Sequence, residues 1–91
     1  MKHEKSTEKL SQAINTIEAR GESYGNIEEN WKATSLIWNG LLKTKLKHDL
    51  TPADVGLLMA GLKLARLSFN PDHEDSQIDG AAYIALISEV V

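Results

Sequence analysis

Residues 51–83 read TPADVGLLMAGLKLARLSFNPDHEDSQIDGAAY and contain two helical patterns separated by Asn70-Pro71. Thr51 precedes the first pattern and can cap its helix, while Asp54 places a negative charge near the positive end of that helix. A residue before proline is pushed out of helical geometry, so the helix that begins after Thr51 is expected to end near Ser68. The stretch therefore predicts two consecutive helices joined by a short polar loop.

The rest of the chain continues the helical spacing of apolar residues on the N-terminal side. Four helices are predicted, over residues 7–20, 26–46, 51–68 and 75–89. Gly21 is expected to end the first helix, residues 21–26 to form a connection, and Asn26 to cap the second helix. Gly40 marks either a close crossing or the end of the second helix. Residues 42–47 also alternate like a strand, an interpretation we reject because such a strand would have no partner.

The apolar stripes of these helices define the predicted core. They place one side of each helix against its neighbours and leave charged residues on the other side. The predicted core residues are Leu10, Ala13, Ile14, Ile17, Ile27, Trp31, Leu36, Ile37, Trp38, Leu41, Leu42, Val55, Leu58, Met59, Leu62, Ala65, Leu67, Ile78, Ala82, Ala85 and Leu86.

Length and composition predict a single all-α domain over residues 1–91, a small bundle with residues 1–6 frayed. The absence of cysteine excludes disulfides, thiolate nucleophiles and cysteine zinc sites. A net charge of −3 argues against nucleic-acid binding. No stretch approaches about 18 uninterrupted apolar residues, so we expect no membrane span. The lack of cysteine makes the cytoplasm the expected compartment. The apolar end Val90-Val91 favours a bundle that is completed by oligomerisation.

Two acidic residues of the fourth helix form a candidate metal site. Asp75 and Asp79 are four residues apart and share one side of the helix, with Tyr83 one turn further. Paired carboxylates are a workable half-site for Mg²⁺, which takes oxygen ligands and bridges to phosphates. The alternative is structural, because acids in a first turn stabilise a helix and Asp79 can form an ion pair. Both interpretations stay open.

Two cations of the third helix are the candidate partners of these acids. Lys63 and Arg66 are three residues apart on an otherwise apolar helix. If the third and fourth helices pack antiparallel, these cations meet Asp79 or Asp75. The arrangement is then either a buried salt bridge, which is the default interpretation, or a pocket for phosphate and metal.

The aromatic residues of the first half give one further candidate. Trp31 and Trp38 lie at helical spacing and are expected in the core, whereas Tyr24 lies between small residues and can stack on a ligand ring. Neither a Ser-His-Asp arrangement nor a phosphate-binding loop of the Walker type is present. Catalytic residues are therefore not assigned.

Several of these segments together resemble small phage and prophage helical proteins of unassigned function. The matching segments are SYGNIEEN at residues 23–30, LIW at 36–38, and residues 51–67 and 70–83. The most specific combination is Lys63 with Arg66, Asn70-Pro71, Asp75-Ser76, Asp79 and Tyr83. That family is in turn distantly similar to the MazG-like nucleotide pyrophosphohydrolases, all-α enzymes that assemble magnesium sites from acidic residues on adjacent helices and usually work as dimers or tetramers.

The resemblance implies a homo-oligomeric nucleotide-binding protein of the bacterial host cytoplasm, with Mg²⁺-dependent hydrolysis of a nucleoside triphosphate as its reaction. Magnesium would be held by Asp75, Asp79 and Glu29, and the nucleotide by Tyr24, Lys63, Arg66 and Tyr83. Two alternatives stay open. One is a non-catalytic protein that sequesters a nucleotide of host defence signalling, and the other is a small protein-interaction module.

Overall fold

The structure is a computed structural model that describes residues 2–24 and 26–91, without the side chains of residues 22–24. Its helices are α1 (Glu4–Tyr24), α2 (Ile27–Leu41), α3 (Pro52–Phe69) and α4 (Glu74–Leu86), followed by a 3₁₀ turn at Ile87–Glu89. The described ranges contain no strand. The predicted all-α fold of four helices is therefore confirmed, with the end of the fourth helix tightened into the 3₁₀ turn.

Three of the four helices begin at side chains that accept hydrogen bonds from free backbone N–H groups. Asn26 Oδ1 accepts a bond from the backbone N–H of Glu28 at 2.7 Å. Thr51 and Asp54 each accept a bond from the other's backbone N–H, at 3.2 Å and 2.9 Å. The ring of His73 caps α4 in the same way. The predicted caps at Asn26 and Thr51 are confirmed.

Three predicted helix bounds differ from the structure. The helix α1 begins at Glu4 rather than at residue 7. The helix α1 continues through Gly21 to Tyr24, because a glycine inside an exposed helix costs only about 1 kcal/mol and does not by itself stop it. The helix α2 ends at Leu41 rather than near residue 46, in agreement with the alternative that Gly40 marks its end. Asn39 is the reason, since its side chain donates to Leu50 O at 3.1 Å and accepts from Leu50 N at 2.7 Å. These two bonds hold the following segment against the end of α2.

The helix α4 lies between α1 and α3, and α2 packs on α3. Contact between α2 and α3 is close at Gly56, where a Cβ atom would lie 2.6 Å from Trp31 Cζ3. The same Cβ would lie 2.7 Å from Ile87 Cγ1, so the 3₁₀ turn meets α3 at this point as well. Gly56 therefore lets an indole ring lie directly on the backbone of α3.

The core of the described chain is smaller than the predicted one. Its buried apolar residues are Ala13, Trp31, Val55, Ala60 and Ala82. Several predicted core residues are instead exposed, and these are Leu10, Ile14, Leu36, Ile37, Leu41, Leu42, Leu58, Leu62, Ala65 and Ala85. The physical reason is that each helix has neighbours on one side only, so apolar stripes broader than that side remain outside.

None of the helices among the described residues combines the length and the apolar character that a membrane crossing requires.

Candidate functional site

A cluster of polar side chains lies where α1, α3 and α4 meet. Asp79 of α4 is its centre: Oδ2 lies 3.4 Å from Lys63 Nζ, and Oδ1 lies 3.3 Å from Arg20 Nη2. The side chains of Asp79 and Lys63 are only 18% and 15% exposed. One carboxylate therefore pairs with cations from two other helices, and the three side chains together keep one positive charge. The predicted antiparallel packing of α3 on α4 does bring Lys63 to Asp79.

Tyr83, one turn after Asp79, completes the cluster. Its hydroxyl accepts a hydrogen bond from Arg20 Nη1 at 3.0 Å, and its ring centroid lies 5.4 Å from Arg20 Cζ. Burial acts to lower the pKa of Arg20, but the hydrogen bond to Tyr83 and the charge of Asp79 outweigh it and raise that pKa above its ordinary value. Arg20 is therefore a permanently charged guanidinium, held in place by two groups of α4.

A cleft of 620 Å³ opens beside this cluster, between the end of α1, the start of α2 and the last turns of α4. Its apolar walls are formed by Ile17, Ile27, Trp31, Met59 and Leu86. Small-molecule sites typically enclose about 300–1,000 Å³ and have mostly apolar walls with a few polar groups that fix orientation. The cleft has the size and the lining of such a site.

Besides Asn26 and Asn30, the polar residues that line the cleft form two sets of opposite character. Arg20 and Tyr83 supply a guanidinium and a phenol, while Glu28 and Glu89 supply carboxylates. A guanidinium has five N–H donors, and the two described contacts to Asp79 and Tyr83 leave others available for an anionic group. Carboxylates accept hydrogen bonds from N–H groups. The cleft can therefore hold a ligand that has an apolar body, an anionic end and hydrogen-bond donors.

A family model described as a domain of unknown function, DUF6378, matches residues 8–91. The chain belongs to the DUF6378 family. This DUF6378 domain is similar to the Gene 55 proteins of Mycobacterium phages L5 and D29, each 31% identical over 71 residues. The alignment covers 78% of this chain and 44% of either phage protein, so the chain spans less than half the length of these curated relatives. No solved structure matches it significantly.

These similarities confirm that the chain is a small phage-type helical domain, as its sequence predicted. They assign no activity, since the family is described as a domain of unknown function. The finer resemblance to MazG-like enzymes stays a prediction.

The DUF6378 domain brings two of the predicted nucleotide-binding residues together and separates a third. Lys63 and Tyr83 both belong to the cluster around Asp79, although only Tyr83 lines the cleft. Arg66 is exposed in the last turn of α3 and forms no ion pair with the described residues. The predicted stacking role of Tyr24 lies outside the described residues, because its side chain is not described.

The three predicted metal ligands of the DUF6378 domain lie in different surroundings. Asp75 and Glu29 are exposed in the first turns of α4 and α2, and Asp79 is paired with two cations. Among the described side chains, no group of three or more histidine or acidic residues is arranged to hold a metal ion. The metal assignment therefore stays a prediction, without support from the arrangement of these residues.

Sequence reasoning missed Arg20. The residue falls at the predicted end of the first helix, where a cation commonly complements the helix dipole. Its spacing held a clue, since Ala13, Ile17 and Arg20 follow one another at helical intervals on a single side. A charged residue that continues an apolar stripe indicates a charged partner on a neighbouring helix. Asp79 on α4 likewise lies beside apolar positions, Ile78 and Ala82.

Proposed function

We propose that the cleft binds a nucleotide, with the base between the apolar walls and a phosphate at Arg20 and Tyr83. One observation carries the proposal: a 620 Å³ apolar cleft has a permanently charged guanidinium at one edge. Arginine pairs with phosphate through parallel N–H···O bonds. We place this binding in the cytoplasm of the phage's bacterial host, where nucleotides are abundant.

A nucleotide suits this cleft better than a purely apolar ligand. A base is a flat ring that packs on apolar and aromatic side chains such as Trp31 and Ile27. Its amino and ring N–H groups are donors that the carboxylates of Glu28 and Glu89 can accept. Both glutamates are exposed, so a ligand without donors would leave their carboxylates hydrated and would gain no hydrogen bond from them.

Binding without turnover is the form of this function that the geometry favours. Catalysis of the MazG type needs several carboxylates free to hold magnesium, and Asp79 is already neutralised by Arg20 and Lys63. The described residues of a single chain thus do not fit a magnesium ion. We therefore propose a nucleotide-sequestering protein, with Mg²⁺-dependent hydrolysis by Asp75, Asp79 and Glu29 as the competing function.

The test is incubation with a mixed pool of nucleotides, with and without Mg²⁺, followed by chromatography of the solution and of the protein-retained fraction. Retention of an unaltered nucleotide in both conditions is the expected result. Conversion of a triphosphate to its monophosphate only with Mg²⁺ would show the competing hydrolase. If nothing is retained or converted, nucleotide binding is wrong, and a protein-interaction role takes its place.

Two adjacent acids provide a matched pair of variants for the retained nucleotide. Glu28 lines the cleft and Glu29 does not, although both lie in the first turn of α2 and stabilise it alike. Glu28→Gln is expected to weaken binding by about tenfold, which corresponds to one lost charge-assisted hydrogen bond. Glu29→Gln is expected to leave the dissociation constant unchanged. A loss of Mg²⁺-dependent turnover in Glu29→Gln would instead support the predicted metal site.

A further inference from the structure

The outer side of α3, opposite the side packed on α2 and α4, is an apolar surface. We define the outer face of α3 by its five large apolar residues, each between 50% and 92% exposed: Leu57, Leu58, Leu62, Leu64 and Phe69. The intervening Gly61 and Ala65 are also exposed. Val55 and Ala60 are buried on the other side of the helix. The helix is thus apolar on both sides, although this chain covers only one of them.

The amount of exposed surface is larger than a monomer of this size normally has. The chain exposes 6765 Å², and its mass is 10.0 kDa. A folded monomer of that mass exposes about 5,200 Å² by the scaling of globular proteins. The excess is about 1,500 Å², whereas each partner in a standard interface contributes about 800 Å². The excess is therefore large enough to supply one side of a stable dimer interface.

We propose that the outer face of α3 binds the same face of a second copy of this chain, in a two-fold symmetric dimer. A two-fold interface brings identical surfaces together, so the surface must be complementary to a second copy of itself. The five residues that define the outer face are uncharged, and the exposed Arg66 borders them one turn after Leu62. In an antiparallel crossing at the middle of α3 the two Arg66 side chains lie toward opposite ends of the interface, so repulsion between like charges is small.

The shape of the face fits two α3 helices packed antiparallel. Gly61 lies at the middle of α3, and a Cβ atom added there would have no neighbour within 4 Å. A small residue at a helix crossing allows the two backbones to approach closely. A two-fold axis near Gly61 places Leu58 of each copy opposite Leu64 of the other. The leucines then interdigitate on both sides of the crossing.

The test is the mass of the full chain in solution, measured by light scattering after gel filtration over a range of protein concentrations. The expected mass is twice the 10.0 kDa chain mass. Leu62→Glu buries two carboxylates in the symmetric interface, and we expect it to weaken dimerisation by at least about 100-fold. Leu10→Glu is the matched control, since Leu10 is 58% exposed and Leu62 57%, but Leu10 lies on α1.

The proposal is overturned if the unmodified chain is monomeric up to about 100 µM, a weak limit for a specific dimer. It is also overturned if Leu62→Glu stays dimeric, or if Leu10→Glu dissociates as readily. Circular dichroism checks that Leu62→Glu keeps its helices, and Leu64→Gln on the same face replaces it if it does not. Met59 lines the cleft from the opposite side of α3, so nucleotide binding by the monomeric variant reports separately on the proposed function.

Discussion

Asp79 of α4 holds cations from two different helices, Lys63 from α3 and Arg20 from α1. Both contacts are longer than the 2.7–2.9 Å of the strongest charge-assisted hydrogen bonds, at 3.4 Å and 3.3 Å. Neither pair alone therefore has ideal geometry. Asp79 matters for stability because the ammonium of Lys63 is mostly buried and has no other carboxylate partner among the described residues.

The variant Asp79→Asn tests this role in stability. Asparagine keeps the shape of the side chain but removes its charge, so we expect the free energy of unfolding to fall by about 2 kcal/mol. Urea denaturation followed by circular dichroism measures the change. Asp75→Asn is the control, because Asp75 is exposed on the same helix and contributes about 0.5 kcal/mol through the helix dipole. Equal losses in the two variants would contradict a structural role for Asp79.

The contribution of Arg20 has a defined dependence on pH. Its pKa is raised in the folded chain, so its stabilisation is complete below the pKa of the unfolded chain and disappears only as pH rises through the folded pKa. Both values lie in strongly alkaline solution. Changes in stability or in ligand binding near neutral pH are therefore not caused by titration of Arg20.

At the scale of the elements, two buried glycines in neighbouring helices have different roles. A Cβ atom at Gly56 would lie within 2.8 Å of three side-chain atoms of Trp31 and Ile87. A Cβ atom at Gly80 would meet Lys63 Cβ at 3.5 Å, which is an ordinary contact. The packing therefore requires a glycine at position 56, whereas it leaves room for an alanine at position 80.

The variants Gly56→Ala and Gly80→Ala are expected to change stability in opposite directions. The added methyl at Gly56 forces Trp31 out of place, with a loss of about 1–3 kcal/mol that exceeds the gain in helix propensity. At Gly80 the propensity gain of up to about 1 kcal/mol remains. Urea denaturation of the two variants under identical conditions measures both effects. Equal stability changes would show that the indole is free to move away from α3.

The starts of α2 and α3 could be predicted from sequence, whereas the start and end of α1 could not and the end of α2 was only one of two alternatives. A cap such as Thr51 with Asp54 acts between residues three apart, so its signal is complete in the local sequence. The end of α2 depends on Asn39 and Leu50, which are eleven residues apart and meet only when the chain turns back. The local signal at Gly40 left two outcomes open, and the contact between Asn39 and Leu50 could not be seen in it.

One contact of the candidate site, Lys63 with Asp79, could be predicted from sequence, and the contact of Arg20 could not. Lys63 and Asp79 lie on consecutive helices joined by a short loop, so antiparallel packing alone predicts that they meet. Arg20 reaches the same carboxylate from 59 residues away in sequence. Its contribution depends on the packing of α1 on α4, which no spacing within one segment reveals.

At the scale of the whole molecule, the chain is elongated. Its dimensions are 49 × 31 × 20 Å, and its radius of gyration is 14.6 Å, where a compact domain of this length has about 12 Å. The predicted core was right for Ala13, Trp31, Val55 and Ala82, but predicted core residues such as Leu58 and Leu62 are exposed in this elongated chain. Sequence periodicity shows that a helix side is apolar, not which molecule covers it.

The thermal stability of the chain is therefore expected to depend on its concentration. If folded chains associate through the outer face of α3, the melting temperature rises by about 3–5 °C for each tenfold increase in protein concentration. Differential scanning calorimetry over two decades of concentration measures this slope. The Leu62→Glu variant should show no slope. A melting temperature independent of concentration in the unmodified chain would contradict an association coupled to folding.

The packing of Trp31 on Gly56 has an optical consequence. The indole is only 4% exposed, and it also forms part of the cleft wall. An indole shielded from water emits at shorter wavelength than an exposed one, and a base stacked beside it quenches that emission. Replacing the only other tryptophan, with Trp38→Phe, leaves Trp31 as a single intrinsic fluorophore. The chain then carries its own label-free sensor for whatever enters the cleft.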